Sequence, residues 1–141
     1  MSREELIDYV RDRFSVDPDY PFEEDTTFVL RHRENKKWFA VAMTVPYLRL
    51  GIEKDRDVNI VDVKCGPLMM GTYRRYPGIL PGYHMNKDNW ITILLDGTAE
   101  EELIKELLEV SYELTKTQHK GTNRKRYERW LSQTESGAEG N

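Results

Sequence analysis

Apolar residues recur at helical spacing near both termini of the chain. The first such segment predicts a helix over residues 3 to 14, begun by a capping box in which Ser2 is followed three residues later by Glu5. Its apolar face consists of Leu6, Val10 and Phe14. The second segment predicts a long helix capped by Thr98. Its recurring apolar residues are Leu103, Leu107, Val110 and Leu114.

The middle of the chain shows the β-branched and aromatic enrichment that is typical of strands. The predicted strands are Thr26 to His32, Trp38 to Val45, Val58 to Val63 and Trp90 to Leu95. Glu34-Asn35 supplies a turn between the first two, which predicts a hairpin. Asp96-Gly97 closes the last strand.

A shorter helix is expected over residues 67 to 75, with Pro67 in its first turn. Leu68, Met69 and Met70 are predicted to face inward. The order α-β-β-β-α-β-α then favours an α+β domain, a two-layer sandwich in which a mainly antiparallel sheet is covered by the N- and C-terminal helices.

Composition narrows the class of protein. With 141 residues, 38% of them hydrophobic, the chain suits a single folded domain. Charged residues in the first fifteen positions exclude a secretion signal, and no apolar run reaches the ~20 residues that span a bilayer, so no membrane partner is expected. Cys65 is the only cysteine, which excludes an internal disulfide and indicates a cytoplasmic protein.

Charge is segregated along the sequence, although the net value is −4. Residues 1 to 25 carry three basic against nine acidic residues, and residues 91 to 118 carry two against seven. Residues 26 to 90 carry eleven against six, or +5. An acidic protein with a locally positive face is therefore expected, with weaker long-range attraction to nucleic acid than a basic domain has.

Three segments carry a resemblance to a known family. One is the stretch from Tyr76 to Trp90, whose Pro77-Gly78 and Pro81-Gly82 turns enclose polar and aromatic side chains in a loop. The others are Asn35-Lys36-Lys37-Trp38-Phe39-Ala40 and Ser111-Tyr112-Glu113-Leu114. Together they closely resemble the MmcQ/YjbR family, small bacterial domains commonly described as DNA-binding.

The resemblance runs from about residue 1 to residue 116 and implies a fold similar to frataxin-like and secretion-chaperone-like domains. We accordingly divide the chain into a family-like domain, residues 1–118, and an extension, residues 119–141. The loop from Tyr47 to Arg56 departs from the short family members that the chain otherwise matches.

The resemblance also implies a DNA-contacting surface, supported by the cations beside its motifs. The candidate residues are Arg31, Arg33, Lys36, Lys37, Trp38, Tyr83, His84, Asn86, Lys87 and Trp90. Lys and Arg would bind phosphates, Asn86 a phosphate or base edge, and the aromatic residues would offer apolar or stacking contacts. The structural alternatives are that Asn86 caps a turn, Trp90 anchors the loop to the core and Lys36-Lys37 form an ordinary hairpin tip.

The extension holds a second mixed segment, Arg124 to Leu131, in which four cations alternate with aromatic residues. It suits a second nucleic-acid arm or, equally, a tail that docks on the domain through Trp130 and Leu131. The last residues, 137 to 141, are Gly-rich and polar, and we expect disorder there.

The sequence shows no specific catalytic or metal-binding motif. Glu4, Asp8 and Asp12 lie four residues apart, but such a run is usually a solvated helix face, and no metal or other cofactor is predicted. His84 is the best candidate base yet has no evident partner, and Cys65 has no recognisable base nearby, so an enzyme is not expected. A protein-interaction adaptor is the main rival to DNA binding, and the oligomeric state is left open.

Overall fold

A computed structural model describes residues 1–22 and 25–116 of the protein. Within these residues, three helices and five strands form two layers. In chain order they are α1 (Arg3–Phe14), β1 (Phe28–Arg31), β2 (Trp38–Pro46), β3 (Asp57–Lys64), α2 (Pro67–Tyr73), β4 (Ile79–Pro81), β5 (Trp90–Leu94) and α3 (Glu101–Lys116). The predicted α+β order is confirmed, with β4 and a 3-10 turn at Tyr47–Leu50 in addition. The extension, including the segment Arg124 to Leu131, lies outside the described residues.

The five strands form one antiparallel sheet in the order β1-β2-β3-β5-β4. In the register of this sheet, Ala40 lies opposite Val63, and Val63 lies opposite Ile91. The start of β2, the end of β3 and the start of β5 therefore meet at the same end of the sheet. Within the described residues, no helix is long and apolar enough to cross a bilayer.

One surface of the sheet, which we call the helix face, packs against all three helices. Its buried residues form a single cluster with Leu6 and Val10 of α1 and with Ile104 and Leu107 of α3. The sheet contributes Phe28, Leu30, Phe39, Ala40, Ala42, Val61, Val63, Ile79, Ile91 and Ile93. The capping box of α1 is confirmed, since Ser2 and Glu5 exchange both hydrogen bonds.

The buried side of α3 differs from the predicted one. Of its four predicted apolar residues only Leu107 is buried, and Leu114 is 44% exposed. The helix instead buries the apolar Ile104 and Leu108 together with Ser111. The Ser111 hydroxyl donates to the carbonyl of Phe39 and accepts from the N–H of Lys64 at 2.8 Å, and a hydroxyl with both bonds satisfied is tolerated in a core.

The predicted cap of α3 is also corrected. The helix begins at Glu101, and the carbonyl of Glu100 accepts from the N–H of Ile104, so Thr98 lies before the cap position. The N–H and hydroxyl of Thr98 instead bind Oδ1 of Asp96. Asp96 thus forms a turn that leads the chain from β5 into the helix.

Helix α2 buries less than predicted. Leu68 is 95% exposed and Met69 44%, whereas Met70 and Tyr73 are buried. A helix of seven residues makes barely two turns, and only one side of it contacts the helix-face core. Three consecutive residues cannot all point to that side.

The stretch predicted as one loop contains the short strand β4 between its two turns. Gly78 has a φ of +83°, and a Cβ there would lie 2.7 Å from the N atom of Ala99. Gly82 is confined by contact instead, because a Cβ would lie 2.8 Å from the carbonyl oxygen of Trp90. The Pro-Gly pairs thus allow close approaches as well as chain reversals.

Candidate nucleic-acid interface

The opposite surface of the sheet, which we call the loop face, is covered by chain segments without regular structure. One of its clusters joins Trp38, Val41 and Trp90 to Met85. A second joins Val45, Val58, Ile60 and Leu94 to Tyr47 of the 3-10 turn, with Tyr83 packed against it. Two residues of the loop at residues 82–89 therefore act as hydrophobic anchors for that loop.

Polar contacts fix the 82–89 loop in place. The N–H of Tyr83 donates to the Thr92 hydroxyl at 2.8 Å, and the Lys87 ammonium donates to the carbonyl of Gly82 at 3.0 Å. Asn86 accepts the N–H of Asp88 at 2.8 Å through Oδ1, and its carbonyl accepts the N–H of Trp90. The loop is thus closed on itself by Lys87 and turned by Asn86.

Asp62 of β3 lies beneath this loop and is fully buried. Its Oδ1 accepts the hydroxyl of Thr92, whereas Oδ2 has no hydrogen-bond partner among the described residues. Burial raises the pKa of the carboxyl to about 8, against the opposing effects of the Thr92 bond and the charge of Lys87. Asp62 therefore keeps its proton at neutral pH and does not cancel the positive charge of Lys87.

The β1–β2 hairpin tip is bound to the end of α3. Asn35 Nδ2 donates to the carbonyls of Thr115 and Lys116 at 3.0 and 3.1 Å, which satisfies groups that a helix C-terminus leaves open. His32 Nε2 lies 2.7 Å from the hydroxyl of Thr115, and burial lowers the pKa of this imidazole. The tip is therefore held in a defined position relative to the sheet.

Lys36 and Lys37 follow this anchored turn. Lys36 has a φ of 65°, an uncommon conformation for a side chain of its size, and its N–H donates to the carbonyl of His32 at 3.1 Å. Lys37 is half-buried, and burial lowers the pKa of its ammonium. Two adjacent cations are thus presented at the start of β2.

The fold gathers these cations at one end of the sheet. Lys64, at the end of β3, lies opposite Trp90, and the N–H of Cys65 donates to the carbonyl of Asn89 at 2.7 Å. We call this region the basic end. It comprises Arg33, Lys36, Lys37, Lys64 and Lys87. Sequence reasoning missed Lys64, because only the strand pairing places it beside the other segments.

Other predicted contact residues have structural roles. Arg31 forms an ion pair with Asp19 at 2.7 Å and lies over the Trp38 ring. Trp38 and Trp90 are buried, so the predicted stacking contacts from these two rings are not available at the surface. Tyr83 and His84 are half-buried, and their rings stack at 4.0 Å. The loop anchor considered for Trp90 and the turn considered for Asn86 are both observed.

The acidic run belongs to α1, which packs on the helix face of the sheet. Glu4, Asp8 and Asp12 are exposed. Over the described ranges, no three His, Cys, Asp or Glu side chains converge as metal ligands. Cys65 is buried, and burial raises the pKa of its thiol. The buried thiol is therefore not exposed at the basic end, although the N–H of Cys65 helps to form that end.

Comparisons with known proteins give the chain a family. The model of the YjbR family matches residues 14–114. The uncharacterised protein YyaQ of Bacillus subtilis is 38% identical over 117 residues, which cover 82% of this chain and 99% of YyaQ. YbdF of Escherichia coli O157:H7, also uncharacterised, is 35% identical over 60 residues, or 42% of this chain and 49% of YbdF.

Solved structures of similar proteins have the same fold as this chain. A crystal structure of a Pseudomonas syringae protein, 41% identical, superposes with a TM-score of 0.79 and covers 82% of this chain and 99% of its own. A crystal structure of a Deinococcus radiodurans protein, 25% identical, gives a TM-score of 0.63 with coverages of 89% and 87%. With sequence and fold in agreement over most of its length, the chain belongs to the YjbR family.

Proposed function

We propose that the protein binds DNA through the basic end of the sheet. The observation that supports this most directly is the strand register, which places the hairpin tip, the end of β3 and the 82–89 loop side by side. Cations from three separate segments thereby share one end of a protein whose net charge is −4. A local positive surface of this kind suits a polyanion.

We assign the phosphate contacts to Arg33, Lys36, Lys37, Lys64 and Lys87. The ammonium of Lys87 has three donor hydrogens, and its bond to Gly82 uses one of them. Tyr83 and His84, half-buried and stacked on each other, are the aromatic residues of the loop placed to contact a base or sugar. Arg31, Trp38, Asn86 and Trp90 hold this surface in shape.

The acidic helices set the orientation of the complex. Exposed carboxylates on α1 and α3 lie on the helix-face side of the sheet and repel a phosphate backbone. DNA is therefore directed to the end where the lysines lie. In this proposal the protein is a cytoplasmic, non-catalytic binding module, in which Cys65 stays buried and reduced.

The experiment is a fluorescence-anisotropy titration of labelled duplex and single-stranded DNA over a series of salt concentrations. The triple variant Lys36→Ala/Lys37→Ala/Lys87→Ala should bind more weakly. Loss of three phosphate contacts should also reduce the slope of log K against log salt concentration by about 2 to 3 for a duplex. The smaller charge effect per contact on single strands makes the expected change there about 2.

A matched control removes the same charge elsewhere. Arg49→Ala/Arg74→Ala/Arg75→Ala changes three exposed cations outside the basic end and should leave the salt slope near that of the wild type. No binding of either DNA at about 50 mM salt, where screening is weak, would reject the proposal. Equal losses in the two triple variants would reject the assignment to the basic end.

A further inference from the structure

A cleft of about 210 Å³ opens on the loop face, and no Lys or Arg of the described residues lines it. Its floor is the outward row of β2, formed by Val41, Met43 and Val45. Tyr83, His84 and Met85 form one wall, and Phe22, Asp25 and Thr27 form the opposite wall. Three separate parts of the chain thus converge on a space large enough for a small organic group.

The cleft is lined mainly by apolar side chains and, among the described residues, carries one carboxylate, that of Asp25. Its surface is mainly aliphatic, thioether and aromatic, and Asp25 is the sole Asp, Glu, Lys or Arg among the described lining residues. Aromatic rings attract organic cations through their faces, and methionine adapts its shape to such ligands. A negative charge at the edge of an apolar, ring-lined space complements a cation and opposes an anion.

Asp25 is held in position by its neighbour. Its Oδ1 accepts the N–H and the hydroxyl of Thr27, at 3.0 and 2.9 Å. Both bonds use Oδ1, and among the described residues Oδ2 accepts no hydrogen bond, so we assign Oδ2 the contact with a ligand. The carboxylate is thereby oriented before a ligand arrives, which lowers the entropic cost of binding.

We propose that this cleft binds a compact organic cation, of the type of a trimethylammonium group, with Asp25 as its counter-charge and Phe22, Tyr83, Met43 and Met85 as its apolar contacts. The cleft shares Tyr83 and His84 with the surface proposed for DNA, but none of Lys36, Lys37, Lys64 and Lys87 lines it. The inference does not depend on DNA binding, and each of the two proposals fails by its own experiment.

Methionine methyl groups offer a direct probe. The chain has five methionines, Met1, Met43, Met69, Met70 and Met85, of which Met43 and Met85 line the cleft. NMR of the full chain labelled at the methionine methyl carbons, titrated with choline, should show saturating shifts at these two methyls only. Met69 and Met70 of α2, on the other side of the sheet, serve as internal references. A dissociation constant on the order of 1 mM is expected for so small a ligand.

Two comparisons test the role of charge. The neutral isostere of choline, in which carbon replaces nitrogen, should bind at least about threefold more weakly, and Asp25→Asn should weaken choline binding by a similar factor. Asn retains an acceptor for Thr27, so the fold should survive the change. Asp12→Asn removes an equal charge from an exposed site on α1 and should not alter the affinity.

The proposal is overturned by any of three results. These are the absence of saturable shifts at Met43 and Met85 up to about 50 mM choline, equal affinity for the neutral isostere, and unchanged affinity in Asp25→Asn. Equal affinity for the neutral compound would show an apolar cleft without cation selectivity.

Discussion

The two faces of the sheet are built on different principles. On the helix face, three helices cover strands whose inward residues are almost all apolar. On the loop face, irregular segments cover a surface that includes the buried carboxyl of Asp62, the hydroxyl of Thr92 and the cleft beside Met43. The first face is a packed core, whereas the second combines a core with polar and accessible groups.

The difference follows from backbone chemistry. A helix satisfies most of its own N–H and C=O groups, so it can cover a sheet with apolar side chains alone. A loop cannot, and its polar groups need partners in the layer beneath. Here the hydroxyl of Thr92 in β5 accepts a hydrogen bond from the N–H of Tyr83 and donates one to Oδ1 of Asp62. Polar groups and the cleft are accordingly found on the loop face, where stability does not require uniform apolar packing.

The largest expected difference between the faces is in packing energy. Phe39→Ala removes a fully buried ring that contacts Phe14 and Tyr112 and should lower the free energy of unfolding by about 4 kcal/mol. Met43→Ala, at the half-buried floor of the cleft, should cost about 1 kcal/mol. Urea unfolding of both variants measures the difference, and equal costs would contradict the contrast between the faces.

A smaller effect should separate two glycines. Gly82→Ala would place a Cβ 2.8 Å from the Trp90 carbonyl oxygen, so the 82–89 loop must shift, and a loss of about 2 kcal/mol is expected. Gly71→Ala, in α2 with nothing within 4 Å of the new Cβ, should raise stability by about 0.5 kcal/mol. Thermal unfolding measures whether each variant is more or less stable than the wild type. Unchanged stability in Gly82→Ala would show that the 82–89 loop is not packed tightly against Trp90.

The last test concerns the pH dependence of stability that Asp62 contributes. Its pKa is about 8 in the folded protein and 3.8 for an ordinary carboxyl, so between these values the folded state binds more protons than the unfolded state. That contribution to stability therefore falls as pH rises from about 4 to about 8, by about 1.4 kcal/mol per pH unit. Asp62→Asn lacks the titrating group. As the pH rises, its free energy of unfolding relative to that of the wild type should therefore increase by this amount for each pH unit.

Chemical unfolding at pH 5, 6 and 7 measures how the free energy of unfolding changes with pH in the variant and in the wild type. Asp12→Asn, at an exposed carboxylate of α1, should retain the slope of the wild type. A slope unchanged in Asp62→Asn would mean that the buried carboxyl is ionised throughout this range, which would contradict its assignment as a protonated group beneath the loop.

Sequence patterns predicted the helix face well where each element is regular and long. The boundaries of α1 agree with its capping box, and β2, β3 and β5 agree with their predicted strands to within about two residues. The buried side of α3 was mistaken: the prediction omitted the apolar Ile104 and Leu108, and Ser111 and Thr115 are polar residues whose hydroxyls are bonded inside the core. Periodicity of apolar residues does not detect a buried hydroxyl with satisfied hydrogen bonds.

The loop face was predicted less completely. The motif from Tyr76 to Trp90 marked the segment that covers it, but neither β4 nor the closure of Lys87 onto Gly82 was foreseen. Asp62 offered one sequence signal, a carboxylate between Val61 and Val63 in a predicted strand, where a charge is costly unless paired or neutralised. Lys64 and Asp25 offered none, because their importance depends on residues far away in the chain.

Local order along the chain was therefore determined by the sequence alone: where helices and strands begin, how hydrophobic residues alternate, and that positive charge is concentrated between residues 26 and 90. Such features depend on spacing and on interactions within a few residues. Tertiary structure decided that Lys36, Lys64 and Lys87 lie at one end of the sheet and that Asp25, Met43 and Tyr83 enclose a cleft. Strand register and loop docking create these neighbours, and no local pattern specifies contacts between residues so distant in sequence.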